Sequence, residues 1–325
     1  MPARRLLLLL LLLIGLTPTA SASVAREDFS TWLAGVRQEA LAQGIRPASL
    51  DRALAGVELL PRVIELDHQQ PETTITYQDY LERVVSPERR QLAREKLQEN
   101  RPLLEAVARR YGVQPRFIVA LWGIETSFGR ATGKFRVIDS LATLAYDGRR
   151  SAFFRKELIN ALRIVDEDGI DPKDMLGSWA GAMGQSQFMP SSFLLYAVSY
   201  SGDGKRDIWH RREDVFASIA NYLSQSGWRA DETWGREVRV PKSFDRALLG
   251  PGIHKSLAQW QRLGIRRVDG GALPQRDLEA SILEPGGEDG PAVLVYGNYR
   301  VLMKWNSSNF FATAVGLLAD SMEEQ

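Results

Sequence analysis

The first third of the chain has apolar residues at three- and four-residue spacing with charges between them, which is the period of an amphipathic helix. The pattern covers residues 27 to about 101, in FSTWLAGVRQEALAQG, PASLDRAL and SPERRQLAREKLQENRPLLEAVARRYG. Gly44 and Gly112 lie where helices would stop, and Ser86 before Pro87 is typical of a helix start. Between these segments, LDHQQPETTITYQDYLERVV has no clear period, and we expect an extended connector that lines a groove.

A second block with mostly helical periodicity extends from Gln114 to Trp228. Pro115 can start the helix that contains Glu125, and Gly129 can end it. From about residue 229 the sequence pattern changes from helical to mixed. Short β-like pieces such as REVRVP and AVLVYG alternate there with turn clusters such as EPGGEDGP. The last apolar segment, SNFFATAVGLLADSM, again has the helical period.

These patterns predict a mainly α protein with a small inserted β-containing lobe. The length is enough for two or three lobes around a substantial core. We expect the following division of the chain: a signal peptide over 1–22, an N-terminal helical lobe over 23–101, a core over 102–228, a β-containing lobe over 229–300 and a C-terminal helix packing on the core over 301–325.

The N-terminus, MPARRLLLLLLLLIGLTPTASAS, has the features of a secretory signal peptide. Two arginines precede a leucine run that is too short to span a bilayer comfortably, and an Ala-x-Ala site predicts cleavage just before Ser23. No later segment is apolar enough to cross a membrane, and the chain has no cysteine for a lipid anchor or a disulfide. We therefore expect a soluble, exported protein without a stable membrane anchor.

The charge balance constrains the partner. The chain has 41 basic and 40 acidic residues, and removing Arg4 and Arg5 with the signal peptide changes the formal net charge from +1 to −1. Phosphate backbones are held by clustered positive charge, so nucleic acid is not the expected partner. A neutral polymer such as a glycan is compatible with this balance.

The sequence lacks several common catalytic motifs. The three histidines, His68, His210 and His254, share no metal-ligand spacing, and none accompanies a serine nucleophile motif. Phosphate-binding glycine loops of the Walker or dinucleotide type are also missing. Carboxylate chemistry remains, and we expect no cofactor.

Glu125 is an acid inside the almost wholly apolar run LWGIETSFG. Isolating a carboxylate from water costs several kcal/mol unless the group is paired or protonated. A carboxyl held against apolar surface has a raised pKa and is suited to donate a proton to a leaving oxygen. Alternatively, Glu125 pairs with an arginine or caps a neighbouring element, and spacing alone does not decide between the two.

The glycine-rich stretch SWAGAMGQSQFMPSSF is a second candidate element. Its small residues allow close backbone approach, and its glutamine and serine side chains can hydrogen-bond sugar hydroxyl and acetamido groups. It could equally serve tight helix packing, and the two interpretations have equal weight.

The order of GIETSFG, AGAMGQSQFMPSSF, SGDGKRDIW and SIANYL resembles the lytic murein transglycosylase B family, from roughly Phe29 to the final helix. The resemblance implies a lysozyme-like catalytic core and cleavage of bacterial peptidoglycan. It identifies Glu125, in the GxET motif, as the only catalytic acid/base. It also implies peptidoglycan glycan strands as the partner, cell-wall synthases as further candidate partners, and a periplasmic location.

The family reaction breaks the β-1,4 bond between N-acetylmuramic acid and N-acetylglucosamine without water. By resemblance, Glu125 protonates the glycosidic oxygen and then takes the proton from the muramoyl C6 hydroxyl, which closes on C1 to give a 1,6-anhydro sugar. Most glycoside hydrolases need two carboxylates. An intramolecular nucleophile at high effective concentration removes the need for the second.

The resemblance also implies substrate-binding positions. Ser178 and Gln187 match groove residues, Arg149 and Arg150 resemble a pair that faces a peptide or lactyl carboxylate, and Tyr222 is the favoured aromatic contact. Further stacking or polar contacts are expected from Tyr80, Tyr299 and Asn306. The alternatives are a solvated loop for the arginines and core packing for the tyrosines.

The stretch SYSGDGKRDIW resembles a calcium loop that some relatives carry. An EF-hand needs acids at its first, third and fifth positions and a glutamate at the twelfth. Here those positions are Ser199, Ser201, Asp203 and His210. We expect a tight structural turn and weak or no metal binding; any weak site would use Asp203, Asp207 and Asp214.

Two other functions compete with the leading one. A lysozyme-like muramidase would let water attack instead of the C6 hydroxyl. A non-catalytic peptidoglycan-binding scaffold would keep the groove without turnover, and retention of Glu125 argues against it.

Overall fold

The computed structural model describes residues 28–69, 75–287 and 290–323. The predicted signal peptide and its cleavage site before Ser23 lie outside these residues. The prediction of a mainly α protein is confirmed, because helices dominate the described part of the chain and the sheets are small. None of the helices in it combines the length and apolar character that crossing a bilayer requires.

In the described residues, six helices precede the helix of Glu125. Their bounds are α1 Phe29–Ala42, α2 Pro47–Leu54, α3 Pro61–His68, α4 Tyr77–Val84, α5 Pro87–Glu99 and α6 Arg101–Tyr111. Local chemistry marks their ends: the Ser86 hydroxyl accepts the N–H of Arg89 at the start of α5, and Gly112 ends α6 with a φ of 69°. The expectation of an extended connector over 66–85 is wrong, because α3 ends within it and α4 follows. Thr76 caps α4, and eight-residue helices are too short for a clear period.

The next block contains five helices and a small ribbon. The helices are α7 Pro115–Thr126, α8 Val137–Asp147, α9 Ser151–Glu167, α10 Pro190–Tyr196 and α11 Arg212–Gln225. Strand β1, Phe135–Arg136, pairs antiparallel with β2, Leu176–Gly177, and Phe135 lies opposite Gly177. The ribbon therefore joins the start of α8 to the beginning of the glycine-rich stretch.

The third region contains a five-stranded antiparallel sheet. Its elements are β3 Gly235–Arg239, a 3₁₀ helix Arg246–Leu248, β4 Lys255–Ser256, α12 Leu257–Arg262, β5 Arg266–Arg267, β6 Glu279–Leu283 and β7 Ala292–Val295, in the sheet order β4-β6-β7-β3-β5. Two helices follow, α13 Gly297–Trp305 and α14 Asn309–Asp320. The predicted boundary between residues 300 and 301 therefore falls inside α13, and the C-terminal region has two helices rather than one.

The sheet lies between two hydrophobic cores. Along β7, Ala292 and Leu294 pack into the small core of the β lobe, whereas Val293 and Val295 pack into the main core. Alternate residues of a strand point to opposite faces, so a strand that is buried on both faces has the unbroken apolar sequence seen in AVLV. The β lobe is thus attached to the helical body through buried side chains.

Helix α7 is the centre of the helical body. Its residues from Arg116 to Gly123 are all buried, and it packs against α5, α6, α11 and α14. A helix that is apolar on every side has this central position. The C-terminal turn of α7, which contains Glu125, reaches the edge of the body, where the side chain is partly exposed.

Candidate active site

A strained turn ends the helix of Glu125. Ser127, Phe128 and Gly129 have φ values of 50°, 60° and 81°, so three successive residues adopt the left-handed region. This region is unfavourable for an aromatic residue and persists only where the surroundings enforce it. The Phe128 ring lies edge-on to Trp122 at 5.5 Å and covers Gly123, where an added Cβ would come within 2.6 Å of the ring. The turn therefore requires glycine at position 123.

Hydrogen bonds from the glycine-rich stretch lock this turn. The buried Thr126 hydroxyl donates to the backbone oxygen of Gln185 at 3.0 Å and accepts the N–H of Gly129 at 3.1 Å. The Gln185 side chain accepts the indole N–H of Trp122 at 2.9 Å and donates to the backbone oxygen of Trp209 at 2.7 Å. The stretch thus provides the close packing considered above, and it also holds the end of α7 in place.

Glu125 has the electrostatic character of a general acid. Burial raises the pKa of its carboxyl from the ordinary value of 4.5 to about 7, and a hydrogen bond from Trp305 acts in the opposite direction. The indole N–H of Trp305 donates to Glu125 Oε1 at 2.7 Å. The alternative of an arginine partner is not what the structure shows, because the hydrogen-bond partner is a neutral indole. A carboxyl with a pKa near neutrality is populated in both protonation states there.

Trp305 belongs to an aromatic cluster that we define as Phe188, Tyr196, Tyr222 and Trp305. Its ring lies 4.7 Å from that of Tyr222 and 5.3 Å from that of Phe188, and Tyr196 lies 4.5 Å from Tyr222. Tyr222 is buried, and its hydroxyl donates to the backbone oxygen of Lys304 at 2.7 Å. Tyr222 is therefore packed against the residue that contacts Glu125, and its burial and bonded hydroxyl count against the predicted direct contact with substrate. Sequence reasoning missed Trp305, which lies 180 positions from Glu125.

Tyr80 and Arg89 approach Glu125 from the N-terminal lobe. Burial and the charge of Glu125 raise the pKa of the Tyr80 phenol, and the guanidinium of Arg89 opposes this. Arg89 donates to the backbone oxygen of Gly123 at 2.7 Å and, more weakly, to the Ser127 hydroxyl at 3.4 Å. It therefore binds a carbonyl at the C-terminal end of α7, where a cation is favourable.

Ser178 and Gln187 lie on the stretch that packs against the segment after α7. The Ser178 hydroxyl accepts the N–H of Ala182 at 3.1 Å. The Gln187 amide donates to the backbone oxygens of Gly184 at 2.9 Å and Thr132 at 3.1 Å. Gln187 has a φ of 50° and precedes Phe188 of the aromatic cluster, so the fold places it one residue from a contact of Trp305.

Asn306 and Tyr299 have different positions on the same helix region. Asn306 follows Trp305, is exposed, and accepts the N–H of Ser308 at 3.1 Å. Tyr299 is buried, and its hydroxyl donates to Asn309 Oδ1 at 2.9 Å. The prediction of Tyr299 as a substrate contact is therefore wrong, since a core residue with a satisfied hydroxyl presents nothing to a ligand.

Arg149 and Arg150 follow the C-terminal end of α8, whereas the ribbon lies at its N-terminal end. Arg149 donates to the backbone oxygen of Asp67 at 2.6 Å, and Arg150 pairs with the buried Asp67 carboxylate at 2.5 Å. Both side chains remain about half exposed, at 50% and 46%. In the structure these guanidinium groups bind Asp67 of the N-terminal lobe.

The three aspartates of the calcium-like loop are occupied by the protein itself. Asp203 pairs with Arg211 at 2.6 Å, Asp207 accepts the N–H of Trp209, and Asp214 accepts the N–H groups of Tyr200 and Asp207. Where the chain is described, the side chains close enough to hold a metal ion together are Asp67, His68 and Asp147, with ligand atoms within 4.8 Å. There, Asp67 is bound to the arginine pair and His68 to Asp147 at 2.9 Å.

A cavity near the calcium-like loop lies apart from Glu125. The cavity between the calcium-like loop and the segment after α9 has a volume of about 260 Å³ and is lined by Asp168, Arg206 and Trp209 among others. Glu125 does not line it. The position of the carboxyl and its contacts, rather than the depth of a pocket, mark the site.

A mainly helical fold that holds a carboxyl at a partly exposed helix end, where burial raises its pKa to about 7, has the features of an enzyme that acts by general acid/base catalysis. The chain belongs to the Transglycosylase SLT domain family, whose model matches residues 28–320. It is 31% identical over 297 residues to the membrane-bound lytic murein transglycosylase B of Escherichia coli K12, covering 86% of this chain and 79% of that protein.

Solved structures agree with this assignment. The chain resembles SltB3 from Pseudomonas aeruginosa in complex with NAG-anhNAM-pentapeptide, with a TM-score of 0.89 and 46% identity over 92% of this chain and 80% of that one. It also resembles the soluble lytic transglycosylase SltB1 from the same organism, with a TM-score of 0.78 and 29% identity over 90% and 98% of the two chains. The E. coli lytic transglycosylase Slt35, solved in complex with calcium, gives a TM-score of 0.74 and 27% identity over 93% and 94%. The prediction of a lysozyme-like fold is confirmed by these neighbours.

Proposed function

We propose that the protein is a peptidoglycan lytic transglycosylase that cleaves the β-1,4 bond between N-acetylmuramic acid and N-acetylglucosamine and forms a 1,6-anhydromuramoyl product. The observation that carries the proposal is the raised pKa of Glu125, together with its position at the edge of the helical body. Family membership and the likeness to SltB3, solved with an anhydro-muramoyl peptide, support the same reaction.

Glu125 performs both proton transfers in this proposal. As the neutral acid it donates its proton to the glycosidic oxygen while the bond from that oxygen to C1 of the muramoyl residue breaks. As the carboxylate it then accepts the proton of the C6 hydroxyl, whose oxygen forms the new bond to C1. The carboxyl returns to its starting state and water is not consumed. A pKa of about 7 suits both steps, because neither form is strongly favoured near neutrality.

A single carboxyl is enough for this chemistry. Two carboxylates within several ångströms of each other couple, and one pKa rises strongly as a result. For Glu125 the causes of the raised pKa are burial, opposed by Trp305, and no other carboxylate of the described residues is among them. The C6 hydroxyl of the sugar takes the place that a water activated by a second carboxylate has in hydrolases.

Substrate contacts are proposed from four residues on three segments of the chain. Tyr80 supplies a phenol, Gln187 and Ser178 supply polar groups from the glycine-rich stretch, and Asn306 follows the indole that binds the acid. Tyr222 supports them through its packing on Trp305.

The proposed role of Arg149 and Arg150 is to bind a carboxylate of the stem peptide. Both side chains remain about half exposed while they bind Asp67, so a second anion can reach them.

The expected compartment is the periplasm. The proposal rests on the leucine-rich N-terminus and on a family that acts on the cell wall. The proposed partner is the glycan strand of peptidoglycan, and cell-wall synthases are proposed as further partners.

Mass spectrometry of the fragments that the purified protein releases from peptidoglycan sacculi tests the function. We expect muropeptides that end in 1,6-anhydromuramic acid and a rate that falls as the pH rises through about 7, because the acid ionises. Reducing muramic acid ends would assign the muramidase reaction instead. Release of no fragments, with retained binding to sacculi, would assign a binding scaffold.

A further inference from the structure

The hydrogen bond between Trp305 and Glu125 engages only one of the two carboxyl oxygens. The indole N–H donates to Oε1 at 2.7 Å. An indole nitrogen has a hydrogen to donate and no lone pair to accept one. A proton of the neutral acid therefore cannot lie between Oε1 and the indole, and the two oxygens of Glu125 are not equivalent.

The indole is held in place from both ends of α13. At the C-terminal end, the Tyr222 hydroxyl donates to the backbone oxygen of Lys304 at 2.7 Å, and the Lys304 ammonium donates to the backbone oxygen of Ser226 at 2.8 Å. At the N-terminal end, the buried Asn298 side chain donates to the backbone oxygens of Arg229 at 2.9 Å and Glu232 at 2.7 Å. The rings of the aromatic cluster pack on its sides. Such a supporting set of contacts is what keeps a functional geometry precise.

We propose that Trp305 is a positioning residue for Glu125: its N–H occupies Oε1 throughout the reaction, so that Oε2 alone carries the proton to the glycosidic oxygen and receives it from the C6 hydroxyl. This inference rests on the proposed function for the identity of the proton acceptor and donor. The orientation of the carboxyl is a property of the free protein.

The same hydrogen bond tunes the acid. A donor to a carboxylate stabilises the ionised form more than the neutral form, so it lowers the pKa that burial raises. Without it, burial alone would hold the proton more tightly and make Glu125 a weaker acid at neutral pH. The indole thus orients the side chain and keeps its pKa in the working range.

Several charged and titratable groups lie on the helices that pack against α7, and most of those named here bind other parts of the protein. Tyr80 of α4 interacts with Glu125 electrostatically, and Arg89 of α5 binds the backbone of α7. Among the groups on α6, α11 and α14, Arg110 donates to the Tyr200 carbonyl, Arg212 pairs with Glu99, Asp214 accepts the backbone N–H groups of Tyr200 and Asp207, and Asp320 accepts the indole N–H of Trp234.

Replacing Trp305 with phenylalanine tests the inference. The ring packing is retained and the donor is lost, so we expect the pKa of Glu125 to rise by about one pH unit or more, as fits the loss of a hydrogen bond to a charged group. The pKa is read from the side-chain carboxyl carbon in ¹³C NMR of the full chain labelled at glutamate, with the Glu125→Gln variant assigning the signal. The alkaline limb of the pH–rate profile should move upward with it, and kcat at pH 6 should fall about tenfold, because the carboxyl is no longer oriented.

A matched control is Trp260→Phe in the β lobe. It removes a buried indole N–H bond of 2.9 Å to the Ala280 carbonyl, and should leave the pKa of Glu125 unchanged. Should Trp305→Phe fail to fold, incorporation of 3-benzothienylalanine at position 305 decides the question, since its sulfur replaces the N–H in a ring of nearly the same shape.

The outcomes separate this inference from the proposed function. An unchanged pKa of Glu125 in the protein lacking the indole N–H would overturn the inference, even if anhydro products were still formed. A raised pKa in a protein that released reducing ends would uphold the orientation of the carboxyl and reject the transglycosylase reaction.

Discussion

Glu125 and Asp203 are two carboxyl groups in opposite situations. Asp203 is exposed, accepts hydrogen bonds from the Ser199 hydroxyl and the Lys205 N–H, and pairs with Arg211, so its pKa lies well below the usual range. Glu125 is largely surrounded by protein, receives one bond from a neutral indole, and has a pKa of about 7.

The difference lies in where the partners come from along the chain. Every named partner of Asp203 is within eight residues of it, whereas Trp305 is 180 positions from Glu125. Local turn chemistry is sufficient to ionise an acid and bind it to the loop. Keeping an acid neutral requires the packing of distant elements, because only a folded body can exclude water from it.

The largest expected effect is that of Glu125→Gln. The amide keeps the shape of the side chain and its bond from Trp305 but has no proton to transfer, so the rate of muropeptide release from sacculi should fall at least 100-fold. Binding to sacculi should remain, as a sedimentation assay can show. Release at the normal rate would remove this residue from the mechanism.

A second change makes the surroundings of Glu125 resemble those of Asp203. In Tyr80→Lys, a nearby ammonium should lower the pKa of Glu125 by about one pH unit, since opposite charge favours the ionised form. The alkaline limb of the pH–rate profile should move down and the rate at pH 7 should fall about fivefold. The control is Tyr80→Phe, for which the alkaline limb of the pH–rate profile should coincide with that of the wild type. If the alkaline limb of the lysine variant did not move either, the electrostatic explanation would be contradicted.

The raised pKa of Glu125 should make the free energy of unfolding depend on pH. Because the pKa of Glu125 is raised from 4.5 to about 7, the folded state holds the proton more tightly, and the resulting stabilisation is lost as the pH rises from 4.5 through 7. Glu125→Gln should therefore gain about 3 kcal/mol over the wild type at pH 8, or roughly 8 °C in Tm, and almost nothing at pH 4.5. Calorimetry at the two pH values measures this, and an equal gain at both would be inconsistent with a titrating group.

The smallest expected effect is that of Asp203→Asn. The pair with Arg211 is exposed and screened, so the Tm should stay within about 2 °C of the wild type. Millimolar calcium should leave the Tm of the wild type unchanged, because serines occupy two ligand positions of the loop. A clear calcium-dependent rise in Tm that the asparagine variant lacks would show that the loop is a metal site.

The candidate site was partly predictable. Glu125 was evident because an acid in an apolar run is rare, and the ordered motifs resemble a known family. Trp305 gave no such signal, since tryptophan at the end of a helix is common. Tyr299 was expected as a substrate contact from the family resemblance, but six residues at about 100° each place its side chain about 120° around α13 from that of Trp305. One faces Glu125 and the other faces the core.

The fold shows the same division between local and distant causes. A longer helix with a side-chain cap, such as α5, which Ser86 caps, was predictable, whereas α3 and α4 were not, because eight residues give too few repeats. The β-like sequence AVLVYG indicated a strand at β7. It could not indicate that its two faces belong to different cores, because that depends on which elements pack on each side.

The amino-acid sequence alone determined the helical class, the acid in its apolar run and the family motifs around it, because each depends on residues that are close together in the chain. The tertiary structure alone decided that an indole donates to that acid, that Tyr222 and Tyr299 are buried, and that the arginine pair binds Asp67. The physical reason is that exclusion of water and long-range hydrogen bonds exist only once distant segments have packed against one another.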